Sequence, residues 1–202
     1  MRVSFNELKS ISKGAARGAG FDWGIAEEVS FAAVWLAKNG FNAADIILNY
    51  LENKSIYPPR SSKDGNWKNL KGDLDPIITG IALLDLNIST TIILKNIYSP
   101  ILIVPFVSQL EQNMSLEGNS FSFYVGRNLL VAQSINLPDR LDILYLSKAP
   151  KIKETKHFSI SKRCIVSDNA WRKLEELTFR TYAPATEESR ILGAGAGLSD
   201  ND

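Results

Sequence analysis

The chain has 202 residues and a formal net charge of +1, and its composition is that of an ordinary globular protein. An apolar fraction of 45% is too high for general disorder. The near-zero net charge disfavours a protein that binds nucleic acid by neutralising phosphates. The most apolar stretch, residues 97–110, contains two prolines and is too short to cross a bilayer. We therefore expect neither a nucleic-acid partner nor a membrane span.

The N-terminal sequence MRVSFNELKS lacks the apolar segment of a secretory signal peptide. The chain contains one cysteine, Cys164, which cannot form an internal disulfide. Its isoleucine and valine neighbours are typical of a buried thiol. These features together predict a cytoplasmic protein.

The first fifty residues predict three helices. Ser4 and Glu7 have the capping-box spacing at the start of the first helix, which the glycines after residue 17 end. The second helix begins after Asp22 and is apolar on nearly every side, which is typical of a central, buried helix. The third helix follows Asn42.

The middle of the chain predicts a long loop followed by mixed structure. Residues 53–76 are rich in lysine, serine, proline, aspartate and glycine, a composition typical of a loop. Asp75–Pro76 then begins a short helix. Residues 90–97 are β-branched enough for a strand, and residues 100–114 predict a helix.

The second half predicts strands over residues 121–125, 129–133, 141–146 and 158–166, and a last helix beginning at Ser167 or Asp168. The predicted fold is therefore α+β, with an N-terminal three-helix layer, a small, mainly antiparallel sheet and a C-terminal helix. Residues 1–182 are predicted to form a single domain. Residues 183–202 are predicted to form an extended tail rich in glycine and alanine.

Several catalytic classes are excluded by missing motifs. There is no phosphate-binding loop and no Gly-x-Ser-x-Gly nucleophile elbow, and His157 is the single histidine. Paired cysteines for zinc or iron–sulfur clusters are absent. The glycines of the tail have the wrong spacing for a dinucleotide fingerprint. No cofactor is therefore indicated by a motif, and carboxylate, arginine, tyrosine and serine chemistry remains.

The first candidate site lies at the start of the buried second helix and contains Arg17, Trp23, Glu27 and Glu28. A carboxylate base with Arg17 orienting an anionic ligand is one interpretation. The other is structural, since acidic residues in the first turns of a helix interact favourably with its dipole and can pair with Arg17.

The second candidate site is the densest polar set of the chain: Arg180, Tyr182, Glu187, Glu188 and Arg190. Two arginines and a tyrosine could hold a carboxylate or a phosphate, with a glutamate as the base. Ion pairs that fasten the tail to the domain are the alternative.

The tail itself is the third candidate. Successive backbone N–H groups at Gly193, Gly195 and Gly197 could form an anion-binding nest, and Asp200 and Asp202 could ligate a divalent cation such as magnesium or calcium. An arm that reaches across the interface of a homo-oligomer and a disordered tail are the other two interpretations.

Two segments carry a resemblance to a known family. The sequence AARGAGFDWGIAEE at residues 15–28 and the C-terminal RTYAPATEESRILGAGAGLSDND resemble the signatures of a bacterial family described only as a domain of unknown function. The resemblance implies a free-standing bacterial protein and assigns no activity or catalytic residue.

The first fifty residues are also similar to the N-terminus of type-2 malate/lactate dehydrogenases. Those enzymes place a Ser-His-Gly motif shortly after the glycine that corresponds to Gly40, whereas this chain has Phe41-Asn42-Ala43-Ala44. This resemblance implies a distant relative that lacks the catalytic histidine.

The leading hypothesis for function is a non-catalytic small-molecule-binding or oligomeric accessory protein of bacterial metabolism, whose tail completes an interface or a pocket. The alternative is an enzyme that acts on a small anionic metabolite through the arginine, tyrosine and glutamate residues of the second candidate site.

Overall fold

The structure is a computed structural model that describes residues 1–54, 59–61, 65–85, 90–127, 129–132, 137–149 and 163–182. The helices in these ranges are α1 (Phe5–Gly18), α2 (Trp23–Lys38), α3 (Ala43–Asn53), α4 (Pro76–Leu84), α5 (Val104–Val107) and α6 (Asp168–Phe179). The strands are β1 (Arg2–Val3), β2 (Arg60–Ser61), β3 (Asn66–Lys68), β4 (Ile92–Tyr98), β5 (Met114–Gly118), β6 (Phe121–Gly126), β7 (Leu129–Ala132), β8 (Arg140–Lys148) and β9 (Cys164–Ile165). Helices and a mixed sheet together make an α+β fold, as predicted.

Seven of these strands form one sheet in the order β2-β3-β4-β8-β5-β6-β7, and β1 pairs separately with β9. β3 and β4 run parallel, and the other described neighbours run antiparallel. In β4, Asn96 has φ +53°, a left-handed conformation that asparagine tolerates. In a regular strand, residues three apart point to opposite faces. The bend at Asn96 changes this alternation, so that Leu94 and Ile97 are both buried.

The helices of the N-terminal half begin and end at the predicted signals. Ser4 caps α1 with a complete capping box: its Oγ accepts from the Glu7 N–H (3.2 Å), and the Glu7 carboxylate accepts from the Ser4 N–H (2.6 Å). Ser167 caps α6 by accepting from the Ala170 N–H, whereas Asp22 and Asn42 occupy the N-cap positions of α2 and α3 without a side-chain hydrogen bond to the helix. α2 packs against α1, α3, α4 and α5, which explains why it is apolar nearly all round.

The prediction of one helix over residues 100–114 is wrong. The chain forms a 3-10 helix, Pro100–Ile103, then the short helix α5, and enters β5 at Met114. Proline has no N–H to donate within a helix, so a new short helix begins near each proline. Residues 100–107 are all buried, and a run buried on all sides has no periodicity that separates helix from strand.

Two further predictions need correction or fall outside the described ranges. Residues 53–76 are not a continuous loop, because β2 and β3 lie within them and the buried Trp67 places β3 beside β4. In the predicted strand over residues 158–166, the described strand residues are Cys164–Ile165, which pair with Arg2–Val3. Residues 158–162 and the tail, residues 183–202, lie outside the described ranges.

Candidate functional site

The first candidate segment forms the turn between α1 and α2. Gly20 has φ +95°, and the Phe21 N–H donates to the Ala16 carbonyl oxygen (3.1 Å), which closes α1 as a Schellman motif. Gly18 lies directly against α6, since a Cβ at this position would be 1.7 Å from the Leu177 carbonyl oxygen. The two helices can therefore cross this closely only because Gly18 has no side chain.

The charged residues of this segment contact the Trp23 ring, a backbone carbonyl and the neighbouring Lys13. The Arg17 guanidinium lies 4.7 Å from the centroid of the exposed Trp23 ring and donates to the Phe21 carbonyl oxygen. The Lys13 ammonium lies 5.2 Å from the same ring and pairs with Glu27. The structure thus brings Arg17 and Trp23 together but pairs Glu27 with Lys13. Among the described contacts, Arg17 does not pair with a glutamate, as the structural interpretation expected; it contacts Trp23 and the Phe21 carbonyl and so holds the α1–α2 turn.

The two glutamates of this candidate site differ in their surroundings. The hydrogen bond from Lys13 lowers the pKa of the exposed Glu27 carboxyl. Burial raises the pKa of Glu28, which is half-buried, and the neighbouring Glu27 charge adds to the shift. A carboxylate that acts as a general base needs a raised pKa. Of the two glutamates, Glu28 is therefore better suited than Glu27 to accept a proton.

Lys54, at the end of α3, was not among the predicted site residues. Its ammonium donates to the Ala19 carbonyl oxygen at the end of α1 and lies 4.3 Å from the centroid of the Phe21 ring. A cation at this position satisfies a free carbonyl and interacts favourably with the helix dipole. Burial lowers the pKa of Lys54, and the charge of Asp75 opposes that shift.

Asp75 is a buried carboxyl at the N-terminus of α4. Its Oδ1 accepts from the Ile77 and Ile78 N–H groups (2.9 Å each), and the hydroxyl of the buried Tyr50 donates to its Oδ2 (2.9 Å). Burial raises the pKa of Asp75 to about 6, although these hydrogen bonds and the Lys54 charge lower it. Burial, followed by the Asp75 charge, raises the pKa of Tyr50 well above its ordinary value.

A cleft of about 310 Å³ opens where the C-terminal ends of α1, α3 and α6 meet. Its apolar lining residues are Ala19, Leu48, Leu51 and Leu177, and its charged ones are Glu52, Lys54, Lys173, Glu176 and Arg180. Lys173 and Glu52 form an ion pair across the cleft (3.1 Å). We call this feature the helix-end cleft, and it combines an apolar wall with three cations and two carboxylates.

One member of the second candidate site, Arg180, lines the helix-end cleft. It also adjoins the first candidate segment, because a Cβ on Gly18 would lie 3.5 Å from the Arg180 Cβ. Tyr182 is 65% exposed and contacts Phe179 (5.7 Å between ring centroids), and it does not line the cleft. Glu187, Glu188, Arg190, Gly193, Gly195, Gly197, Asp200 and Asp202 lie outside the described residues.

Sequence reasoning missed Lys54 and Lys173 because each is an unremarkable lysine on its own helix. Lys173 meets its partner Glu52 across 121 residues of sequence, and such a separation leaves no local signal. Among the described residues there is no group of three or more histidine, cysteine, aspartate or glutamate side chains that could hold a metal ion. None of the described helices is long and apolar enough to cross a membrane.

Comparison with known proteins supports the first resemblance. Residues 3–96, a little under half of the chain, match a family described as a protein of unknown function (DUF3726). The match contains the ARGAG segment and ends before the C-terminal motif, and it confirms the resemblance to a domain-of-unknown-function family. No curated protein and no solved structure matches the chain. The similarity to type-2 malate/lactate dehydrogenases stays a prediction.

Proposed function

We propose that this chain is a small-molecule-binding protein of bacterial metabolism, and that the helix-end cleft takes a small anion with an apolar body. The observation that carries the proposal is the placement of Lys54, Lys173 and Arg180 around an apolar wall in one cleft. Ligand sites generally combine an apolar lining with a few polar groups that orient the ligand. The volume of about 310 Å³ is at the lower end of the range for such sites, which favours a small metabolite.

The charges of the cleft favour an anion. Glu52 offsets Lys173 through their ion pair, and the two remaining cations, Lys54 and Arg180, exceed the one remaining carboxylate, Glu176. Arginine binds carboxylates and phosphates through two parallel hydrogen bonds, whereas lysine acts as a point charge. Arg180 is therefore the residue we expect to orient the anionic group of the ligand.

The position of Arg180 connects this proposal with the tail. The described chain ends at Tyr182, two residues after Arg180 of the cleft lining. We extend the proposal to a tail that completes the cleft or an interface between two copies of the chain. The glycine and alanine content of the tail supports this role, because small residues allow a close approach of the backbone.

The test is a thermal-shift screen of the full chain against small carboxylates, phosphate esters and nucleotides. A ligand at a hundred times its Kd adds about 2.7 kcal/mol to the free energy of unfolding. For a protein of this size that corresponds to a rise in Tm of about 5–10 °C. Lys173→Ala and Arg180→Ala should remove the rise, while Arg172→Ala, which changes an exposed arginine of α6 outside the cleft, should keep it.

Two results would contradict the proposal. A ligand whose stabilisation is unchanged in both cleft variants binds elsewhere, and a screen without any shift removes the support for an anion site. Repeating the screen on a chain truncated after Pro184 tests the role of the tail. An equal shift in the truncated chain, together with an unchanged oligomeric state by light scattering, would refute it.

An enzyme acting on a small anionic metabolite is the second candidate function. The observation that favours it is that Lys54 lines the cleft and interacts electrostatically with Asp75, a buried carboxyl behind the lining whose pKa burial raises to about 6. A group that titrates near the working pH is suited to proton transfer. If the chain is an enzyme, Asp75→Asn should abolish turnover of the bound ligand, followed by NMR, while its binding persists. Unchanged turnover in this variant would exclude Asp75 as the catalytic acid or base.

A further inference from the structure

A second surface feature lies along β8, where this strand is only partly paired. Residues 140–146 of β8 pair with β4, whereas its pairing with β5 covers residues 144–148. β5 ends at Gly118, opposite Leu144, and the chain turns there into β6. Along residues 140–143, no described strand pairs with β8 on the side of β5. Among the described strands, β8 therefore keeps a short edge without a partner at these residues.

A groove of about 640 Å³ follows this open edge. One wall is the beginning of β8, and the other is the end of β5 with the turn at residues 118–120. We call it the β8 groove, and none of its lining residues lines the helix-end cleft. A strand edge beside an open groove is the geometry that proteins use to add a strand from an extended peptide.

The side chains of the β8 groove offer both apolar and acidic contacts. Ile143 and Tyr145 line it and are 40% and 45% exposed, although both are large hydrophobic residues. The exposed carboxylates Glu117 and Asp142 also line it. The one basic lining residue, Arg140, is ion-paired with Asp73, which is not a lining residue. The charge presented to an incoming molecule is therefore negative.

We propose that the β8 groove binds an extended, basic segment of a partner protein, which adds to residues 140–143 of β8 as a further strand. Backbone hydrogen bonds to β8 would hold the segment in place. Successive side chains of a strand point to opposite faces, so alternate residues of the segment can serve different contacts. Aliphatic side chains would pack on the face of Ile143 and Tyr145, which also carries Glu117, because Glu117 lies opposite Tyr145. Lysine or arginine side chains on the other face of the segment would reach Asp142.

The experiment titrates the ¹⁵N-labelled full chain with a terminally blocked hexapeptide of alternating lysine and valine. Two matched peptides serve as controls: one has glutamate in place of each lysine, and one carries N-methyl groups that remove alternate backbone donors. We expect saturable shifts centred on the amides of residues 141–143 with the lysine peptide. The glutamate peptide and the N-methylated peptide should bind much more weakly or not at all.

Variants then test the acidic contacts. Asp142→Asn should weaken binding of the lysine peptide by about two- to fivefold, the range of an exposed ion pair. Glu117→Gln changes a carboxylate on the face that the valines occupy, and it should weaken binding less than Asp142→Asn. Glu111→Gln, which changes an exposed glutamate outside the groove, should leave the Kd unchanged. Thermal unfolding of each variant confirms that the fold is intact, which is expected because all three residues are exposed.

Three outcomes overturn the proposal. The first is no saturable binding of the lysine peptide at millimolar concentration. The second is equal binding of the N-methylated peptide, which would show attraction by charge without strand pairing. The third is shifts centred on the helix-end cleft, which would place the peptide at the other site. The β8 groove and the helix-end cleft share no lining residue. A negative result with the peptides therefore does not bear on small-molecule binding in the helix-end cleft, which the thermal-shift screen tests separately.

Discussion

Asp75→Asn should change the way in which stability depends on pH. Asp75 is 1% exposed, and burial raises its pKa from 3.8 to about 6. A carboxyl with a raised pKa binds its proton more tightly in the folded chain than in the unfolded one. The contribution of Asp75 to the free energy of unfolding is therefore most favourable below pH 4, where the carboxyl is protonated. This contribution is lost as the pH rises from about 4 to about 6. Above that range the fold carries a buried carboxylate at a cost.

The free-energy cost of burying the Asp75 carboxylate follows from the change in its pKa on folding. A difference of about two pKa units corresponds to about 3 kcal/mol, at 1.36 kcal/mol per unit. Asparagine keeps the cap of α4, because its Oδ1 can still accept from the Ile77 and Ile78 N–H groups. The variant has no charge to bury at any pH. Its stability relative to the native chain should therefore rise by about 2 kcal/mol between pH 4 and pH 7, since the first part of the change already falls below pH 4.

Urea unfolding of both chains at pH 4, 5, 6 and 7 measures this difference directly. Subtracting the two curves removes the contributions of all other titrating groups, provided that they are the same in both chains. Asp85→Asn, at the exposed C-terminal end of the same helix, is the control for loss of a carboxylate without burial. A stability difference between Asp75→Asn and the native chain that stays constant from pH 4 to pH 7 would refute the reasoning.

Other consequences of the structure can be tested in the same unfolding assay. Gly18→Ala should destabilise the chain by about 3 kcal/mol, because the new Cβ would meet the Leu177 carbonyl. Gly24→Ala on α2 is the control, because its new Cβ meets no atom within 4 Å, and it should stabilise the chain by about 0.5 kcal/mol. A Gly24→Ala chain that is less stable than the Gly18→Ala chain would contradict the packing described. Ser4→Ala should cost about 1 kcal/mol through loss of the α1 cap, and an unchanged midpoint would show that the capping box is dispensable. Cys164 is buried and burial raises its pKa, so a thiol reagent at pH 8 should label the native chain far more slowly than the urea-unfolded one; equal rates would disprove its burial.

The candidate sites were predictable only in part, because only residues that are close in sequence leave a local signal of their contact. Arg17 and Trp23 lie close together in sequence and meet in the structure, as their spacing suggests. Arg180 was predicted with the tail residues that follow it, which lie outside the described residues, and the structure places it in the same cleft lining as Lys54 and Lys173. Lys54 directly follows α3 and Lys173 lies in α6, so their presence in one cleft depends on how the two helices cross. The β8 groove had no sequence signal, because it arises from where β5 ends relative to β8.

The sequence by itself determined the helices of the N-terminal half and the last helix, because caps, glycine stops and apolar periodicity act within a few residues of each other. Ser4 with Glu7, and Asp75 with Pro76, are signals of this kind. Only the tertiary structure decided that residues 100–114 divide into short helices and a strand, since strand pairing there joins Met114–Gly118 to the distant β8. It also decided the chemistry of Asp75. The same aspartate would be an ordinary exposed cap on an isolated helix, and its pKa near 6 exists because packing removes it from water.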